Sequence, residues 1–170
     1  MRRGRHDGGG YGTLRLMIMA LSMDLAVKGA ARFLLSGKTV PLVLGFRLEL
    51  HLNSGVSFGL TPTLGWAVGL LGLAVLLGLT WASIGGTGRA GCGLALLWAG
   101  GLSNALERLF LGSVTDFFLV PLQRIPWVPL SGLYLNLADL WLFLGAVLLL
   151  LDFLSHTKGG GGEPSAADKP

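Results

Sequence analysis

Charged residues are scarce in this 170-residue sequence. They make up 13% of it, whereas soluble domains average about a quarter. Hydrophobic residues make up 52%, and the mean hydropathy is +0.66. The two-faced pattern of polar and apolar residues that a soluble domain of this length needs is missing. The composition therefore predicts a membrane protein.

Cysteine is nearly absent as well. The single Cys92 excludes an internal disulfide, and we expect it to be a small apolar packing residue. The three histidines, His6, His51 and His156, do not have the spacing of metal ligands. No phosphate-binding Gly-x-x-x-x-Gly-Lys loop and no G-x-S-x-G nucleophile motif is present. Acid–base chemistry by carboxylates is the catalysis that remains.

Long apolar runs dominate what is there. The four runs are 14–35, 64–84, 90–110 and 133–154. Each has about 20 residues, enough to cross roughly 30 Å of hydrocarbon as a helix. We expect an all-α membrane protein, a four-transmembrane-helix bundle forming one domain over 14–154. The basic tail 1–13 and the glycine-rich tail 155–170 are predicted to be disordered.

The first apolar run could be mistaken for a secretory signal peptide, because it follows a basic start. Its length argues against that reading, and so do the charges of Asp24 and Lys28 inside it. We therefore interpret this run as the first span.

The positions of the basic residues predict the orientation. The net charge of +4 comes largely from arginines near the start: Arg2, Arg3, Arg5 and Arg15. Together with Arg89, between spans two and three, they place both termini in the cytoplasm by the positive-inside rule, although Lys38, Arg47 and Arg124 weaken the contrast. This distribution does not form the basic face that nucleic-acid binding requires, so we expect no nucleic-acid partner.

With this orientation, the segments 36–63 and 111–132 face outward. Within the first of them, 46–52 alternates apolar and polar residues, which predicts a small extracytoplasmic β-like segment between spans one and two. The second contains several prolines and is expected to be a loop at headgroup level.

Two aspartates are placed where they could form one site. Asp116 follows span three and Asp139 lies early in span four, so antiparallel neighbours would bring them together near the outer surface. A lone aspartate is more often an interface residue or a helix cap, but the adjacent Phe117 and Phe118 favour a shared buried site. Two carboxylates in a low-dielectric site cannot both ionise easily. Such a pair can activate a water and protonate a leaving amine.

Charges inside the first span leave two interpretations open. Asp24 and Lys28 lie four residues apart and could form a self-neutralising ion pair or face a substrate. A small membrane carrier or proton-path subunit would also hold such charges inside a bundle. Its carboxylates would lie near mid-membrane, however, whereas Asp116 and Asp139 are expected near one surface.

The remaining polar residues are ambiguous in the same way. Asn53, Asn104 and Asn136 could orient the aspartates or hold a substrate backbone, or they could be helix caps and interhelical bonds. Arg108 could pair with Glu107, reach outward to the interface, or hold a carboxylate in place.

Five short motifs occur in order along 14–154. They are D-x-x-x-K at 24–28, N-x-G-x-x-F at 53–58, G-x-x-x-N-x-x-E-R at 100–108, G-x-V-x-D-F at 112–117 and N-x-A-D at 136–139. Each is weak alone. Together they resemble the motifs of the lipoprotein signal peptidases, the type II signal peptidases of bacteria.

The resemblance implies an intramembrane aspartic endopeptidase of the bacterial inner membrane, with Asp116 and Asp139 as its catalytic pair. It implies removal of the signal peptide from prolipoproteins on the amino side of a diacylglyceryl-cysteine. Membrane lipid would be a further partner, globomycin an inhibitor, and no metal or organic cofactor would be needed. The implied site-supporting residues are Asp24, Lys28, Asn53, Gly55, Gly100, Asn104, Glu107, Arg108, Asn136 and Ala138.

Two positions depart from the family pattern. Glu107 stands where the family usually has aspartate, and Leu135 stands where an aromatic residue commonly precedes the last asparagine. Glutamate keeps the charge but reaches one methylene further, so its pairing could shift. An inactive scaffold of the same fold is the alternative that Glu107 raises, but both dyad positions are intact and we expect activity.

Overall fold

The structure is a computed structural model that describes residues 7–54, 65–82, 89–122 and 132–159. Its helices are α1 (Asp7–Leu34), α2 (Gly65–Ala82), α3 (Arg89–Leu111) and α4 (Leu137–Gly159). Its strands are β1 (Thr39–Pro41), β2 (Arg47–Asn53), β3 (Val114–Pro121) and β4 (Gly132–Leu135). Gly55, one of the expected site-supporting residues, lies outside the described ranges.

Two helices extend beyond their expected bounds. α1 begins at Asp7, inside the tail expected to end at 13, and α4 continues to Gly159, past the expected end at 154. Glycine and short polar residues disfavour helix by up to about 1 kcal/mol each, which is why the sequence suggested coil there. Extending an existing helix costs less free energy than nucleating a new one, so these residues can join the helical turns next to them.

The third helix is the centre of the bundle, since α3 packs against α1, α2 and α4. Its closest approach is to α4, along a seam of small residues. A Cβ at Gly100 would lie 2.5 Å from the carbonyl oxygen of Ala138, and a Cβ at Gly93 would lie 2.9 Å from that of Gly145. Such seams let helix backbones approach closely, as they commonly do in membrane bundles.

One helix within the described ranges is long and apolar enough to cross a membrane, over 137–157 with a mean hydropathy of 2.2. The apolar part of α2 is the shorter Gly69–Trp81. α1 and α3 have the length but also carry charged side chains. The chain is therefore a mostly helical protein with a small antiparallel sheet and, among the described residues, one helix of clear membrane-spanning character.

The sheet is larger than the sequence indicated, so the all-α expectation is corrected. All four strands are antiparallel in the order β1-β2-β3-β4. β2 is the expected β-like segment, and β3 comes from the region expected to be a loop. β4 occupies what was expected to be the start of the fourth span, so α4 begins at Leu137 instead of 133. β3 is rich in β-branched and aromatic residues, which favour strands, and its proline lies at the last position, where it does not interrupt the pairing.

The connections of β3 and β4 determine where the sheet lies. Gly112 turns the chain from α3 into β3 with a φ of +72°, a backbone conformation that glycine adopts readily. β4 leads directly into α4. The sheet therefore covers the end of the bundle where α3 finishes and α4 begins.

We predict that Gly100→Ala destabilises the protein by about 1–3 kcal/mol, the usual cost of overpacking, because the new methyl group would meet backbone rather than a flexible side chain. Thermal unfolding in detergent would measure this. Gly29→Ala is the matched control, since Gly29 lies in α1 with open space where a Cβ would stand. Equal unfolding temperatures for the two variants would refute the close α3–α4 contact.

Candidate active site

Asn136 starts α4 and fixes Asp139 in its first turn. The Asn136 Oδ1 accepts a hydrogen bond from the backbone N–H of Asp139 at 3.1 Å. In return, Asp139 Oδ2 accepts one from the backbone N–H of Asn136 at 2.9 Å. This reciprocal pair is a capping box with asparagine as the N-cap, so the two side chains are oriented by the helix itself.

Asp116 lies on β3 and is joined to Asp139 through the same asparagine. Asn136 Nδ2 donates to Asp116 Oδ1 at 2.7 Å, while Asn53 Nδ2 of β2 donates to Asp116 Oδ2 at 3.2 Å. Asn104 Nδ2 of α3 donates to Asp139 Oδ1 at 3.4 Å. The three asparagines hold the two carboxylates at one site, and Asn136 is also a helix cap.

Burial governs the electrostatics of Asp116, which is 3% exposed. Loss of hydration raises its pKa most strongly, and the nearby Asp139 raises it further. Hydrogen bonds from Asn136 and Asn53 act in the opposite direction but do not cancel the effect, so the pKa of Asp116 is above its usual range. The pair can thus hold one proton at a pH where exposed carboxylates are ionised.

A buried charge cluster lies beneath the pair. Lys28 Nζ is 2.9 Å from Asp24 Oδ2 and 3.2 Å from Glu107 Oε2, and it also donates to Asn104 Oδ1 at 2.6 Å. The side chains of Asp24 and Lys28 are 0% and 2% exposed. Of the two interpretations left open for them, the structure has the ion pair, and both side chains are buried.

Glu107 is bound to Thr115, the residue that precedes Asp116. Its Oε2 accepts from the Thr115 backbone N–H at 2.8 Å, and its Oε1 accepts from the Thr115 hydroxyl at 2.6 Å. Among the described residues, the ion pairs of Glu107 are with Lys28 and Arg32. The suggested pairing with Arg108 is not among these contacts.

Sequence reasoning missed three residues of this cluster: Arg32, Ser103 and Thr115. Arg32 Nε donates to the Thr115 hydroxyl at 2.6 Å, and Lys28 Nζ donates to Ser103 Oγ at 3.2 Å. Arg32 follows Lys28 by four residues and therefore shares its helix face, which is a signal that could have found it. The serine and the threonine carried no comparable signal, because small hydroxyl residues are common in apolar helices and strands.

Gly100 and Ala138 support the site through the backbone. Ala138 is completely buried, and its carbonyl oxygen lies where a Gly100 side chain would be. This contact sets the distance between α3, which carries Asn104, and the first turn of α4, which carries Asp139.

Two cavities adjoin Asp139. One, of about 690 Å³, is lined by residues of α1, α4 and the sheet: Met23, Val27, Phe117, Phe118, Leu135, Asn136, Leu137, Asp139, Leu140 and Phe143. The other, of about 540 Å³, lies between α2, α3 and α4, and includes Asn104, Arg108 and Asp139 in its wall. Arg108 thus faces a cavity that it shares with the aspartate. Within the described ranges, no three His, Cys, Asp or Glu side chains are arranged to hold a metal ion.

A family profile described as signal peptidase (SPase) II matches residues 16–155, which include every strand of this site and most of its helices. The chain belongs to the signal peptidase II family. Its relatives include a lipoprotein signal peptidase of Ralstonia nicotianae, 31% identical over 165 residues, with 91% of this chain and 92% of the relative covered. A lipoprotein signal peptidase of Methylorubrum extorquens is 35% identical over 127 residues, covering 67% and 71%.

Solved structures show the same fold. One, described as a bacterial membrane enzyme, superposes with a TM-score of 0.70 at 18% identity and covers 90% of this chain and 93% of that chain. A second with the same description gives a TM-score of 0.68 at 19% identity, covering 84% and 92%. The signal peptidase II chain described here therefore shares its helices-plus-sheet architecture with known membrane enzymes.

We predict that Asp116→Asn changes how stability depends on pH. A carboxyl whose pKa is raised by folding destabilises the fold as pH rises from its unfolded pKa through its folded one, and asparagine does not titrate. The variant should therefore gain stability relative to the parent as pH rises above the ordinary pKa of an aspartate. Thermal unfolding at several pH values measures this, and parallel curves for parent and variant would contradict the raised pKa.

Proposed function

We propose that this member of the signal peptidase II family removes the signal peptide from lipid-modified prolipoproteins by aspartic chemistry, with Asp116 and Asp139 as the catalytic pair. The observation that carries the proposal is the single side chain of Asn136, which donates to Asp116 and caps the helix turn that holds Asp139. Two carboxylates are thereby presented together next to two cavities large enough for substrate groups.

The chemistry follows from a pair that shares one proton. The ionised carboxylate takes a proton from a water, whose oxygen attacks the carbonyl carbon of the scissile bond. As the carbon–nitrogen bond breaks, the protonated carboxyl gives its proton to the leaving amine of the lipid-modified cysteine. The apparent pKa values belong to the pair, so the roles are assigned to the dyad rather than to one aspartate.

We infer that all four helices span the inner membrane, with both termini in the cytoplasm and the active site near the outer face. The buried charge cluster supports this. Asp24, Lys28 and Glu107 lower the hydropathy of α1 and α3, yet they are buried and paired inside the protein, so they do not face lipid. Apolar side chains such as Met19 and Phe33 do face outward, at 70% and 85% exposed.

The substrate reaches the pair from the bilayer. We assign the apolar signal peptide to the cavity between α2, α3 and α4, because its wall includes Asp139 together with exposed apolar side chains of α2 such as Leu71 and Val75. The diacylglyceryl chains stay in lipid. β2, which pairs with the strand of Asp116, helps to clamp the substrate at the membrane surface. Globomycin would inhibit by occupying the same site.

We predict that Asp116→Asn and Asp139→Asn each abolish processing while the protein still inserts, because a pair with one carboxyl cannot both activate water and supply a proton. Release of signal peptide from a lipidated prolipoprotein peptide, with and without globomycin, measures this. Asp152→Asn is the matched control. Asp152 also lies in α4, but its partner is the exposed His156, and it is not part of the aspartate pair.

The same assay separates the alternatives. Normal cleavage by either dyad variant would refute the catalytic assignment. Parent protein that binds the peptide but never cleaves it would indicate an inactive scaffold. A carrier or proton-path subunit would cleave nothing and would show no effect of globomycin.

The assigned substrate path gives a separate prediction. Gly72→Leu should raise KM for the peptide several-fold with little change in stability, because Gly72 lines the cavity and has open space where a side chain would stand. Gly29→Leu, on an exposed part of α1 outside both cavities, is the control. Unchanged KM in the Gly72 variant would direct the search to the other cavity.

A further inference from the structure

Arg32 and Thr115 do not occupy any of the specified positions of the five sequence motifs. Their side chains nevertheless contact each other beside β3, the strand that carries Asp116. Arg32 reaches from the last turn of α1, donating through Nε to the Thr115 hydroxyl at 2.6 Å and through Nη2 to Glu107 Oε1 at 3.2 Å. Thr115 is fully buried, so its hydroxyl and its backbone N–H depend on Arg32 and Glu107 for hydrogen bonding. Neither residue contacts Asp116 or Asp139 directly in the hydrogen bonds described above.

The hydroxyl of Thr115 is used fully. It donates to Glu107 Oε1 and accepts from Arg32 Nε, while the Thr115 backbone N–H donates to the other oxygen of the same carboxylate. Two bonds from one residue to one carboxylate fix its orientation as well as its distance. The start of β3 is therefore held against the end of α3, immediately before Asp116.

Glu107 also connects to the second aspartate. Its Oε2 is 3.2 Å from Lys28 Nζ, which donates to Asn104 Oδ1 at 2.6 Å, and Asn104 Nδ2 donates to Asp139. The Glu107 carboxylate is thus connected to both aspartates. It binds Thr115, the neighbour of Asp116, and it reaches Asp139 through Lys28 and Asn104. Arg32 adds a positive charge on the Thr115 side of this carboxylate.

We propose that Arg32 and Thr115 are positioning residues for the hydrolysis, acting through Glu107 to hold Asp116 in register with Asp139. The inference rests on the proposed function. The Glu107 side chain meets a threonine hydroxyl and an arginine that together orient its carboxylate.

Thr115→Val tests this, because it removes the hydroxyl while keeping the side-chain shape and the backbone N–H. We expect kcat to fall about 10- to 100-fold, since misplacing a catalytic group by about 1 Å can cost that much, with KM changed less than about twofold. Thr115→Ser should restore most of kcat. Thr39→Val is the matched control. It also removes a strand hydroxyl that donates to a glutamate, Glu49, but Thr39 lies on β1, which β2 separates from β3.

Arg32→Met, alone and combined with Thr115→Val, tests whether the two act through one contact. The double variant should lose little more kcat than the worse single variant, whereas independent effects would multiply. Thermal unfolding of each variant in detergent establishes that it is folded. Full activity of Thr115→Val, equal losses in the valine and serine variants, or a change confined to KM would each overturn the proposal.

An infrared measurement separates failure of this inference from failure of the proposed function. The protonated carboxyl band of the pair, identified by its loss or shift in Asp116→Asn and Asp139→Asn, should shift in Thr115→Val and be unchanged in Thr115→Ser. That readout needs no turnover, so an inactive parent would refute the peptidase assignment while the band still reports on positioning. A band unmoved in Thr115→Val would refute the positioning role even in an active enzyme.

Discussion

The buried ammonium group of Lys28 is the constraint on which the rest of the site depends. A charge this deeply buried is tolerated only with compensating partners, because its hydration has been lost. Lys28 finds Asp24 on its own helix, with Ser103, Asn104 and Glu107 on α3. Satisfying one cation therefore fixes how α1 docks on α3, and it orients two side chains that lead toward the aspartates.

Asn136 performs the corresponding task where α4 begins. Its backbone and side chain close the first turn of α4, and its amide nitrogen is left to reach Asp116 on the sheet. A helix start and a strand are joined by one residue with both a donor and an acceptor. The hydrogen bonds of Asn136 that cap α4 therefore also fix the positions of the two aspartates.

The sequence was sufficient for the existence of four helices, though not for all their bounds, because long apolar runs predict helices. It was sufficient for the meeting of Asp116 and Asp139, because antiparallel neighbours bring the end of one helix beside the start of the next. It was insufficient for β3 and β4. The proline of β3 and its position after an apolar run suggested a loop, and the apolar residues of β4 suggested the start of a membrane span. Antiparallel pairing of β3 with β2, remote in the chain, and of β4 with β3 makes both of them strands. The partners of Arg32 were not predicted for a similar reason, since its contacts with Glu107 and Thr115 join residues more than 70 positions apart in the sequence.

The small-residue seam between α3 and α4 has a mechanical consequence. β3 continues from α3 through the turn at Gly112, and Asp139 lies at the start of α4, so both aspartates are attached to the two helices that pack most closely. α2 packs chiefly against α3 and borders the cavity that leads to Asp139. Outward movement of α2 could therefore widen the way in for a signal peptide while the spacing of the two carboxylates stays constant.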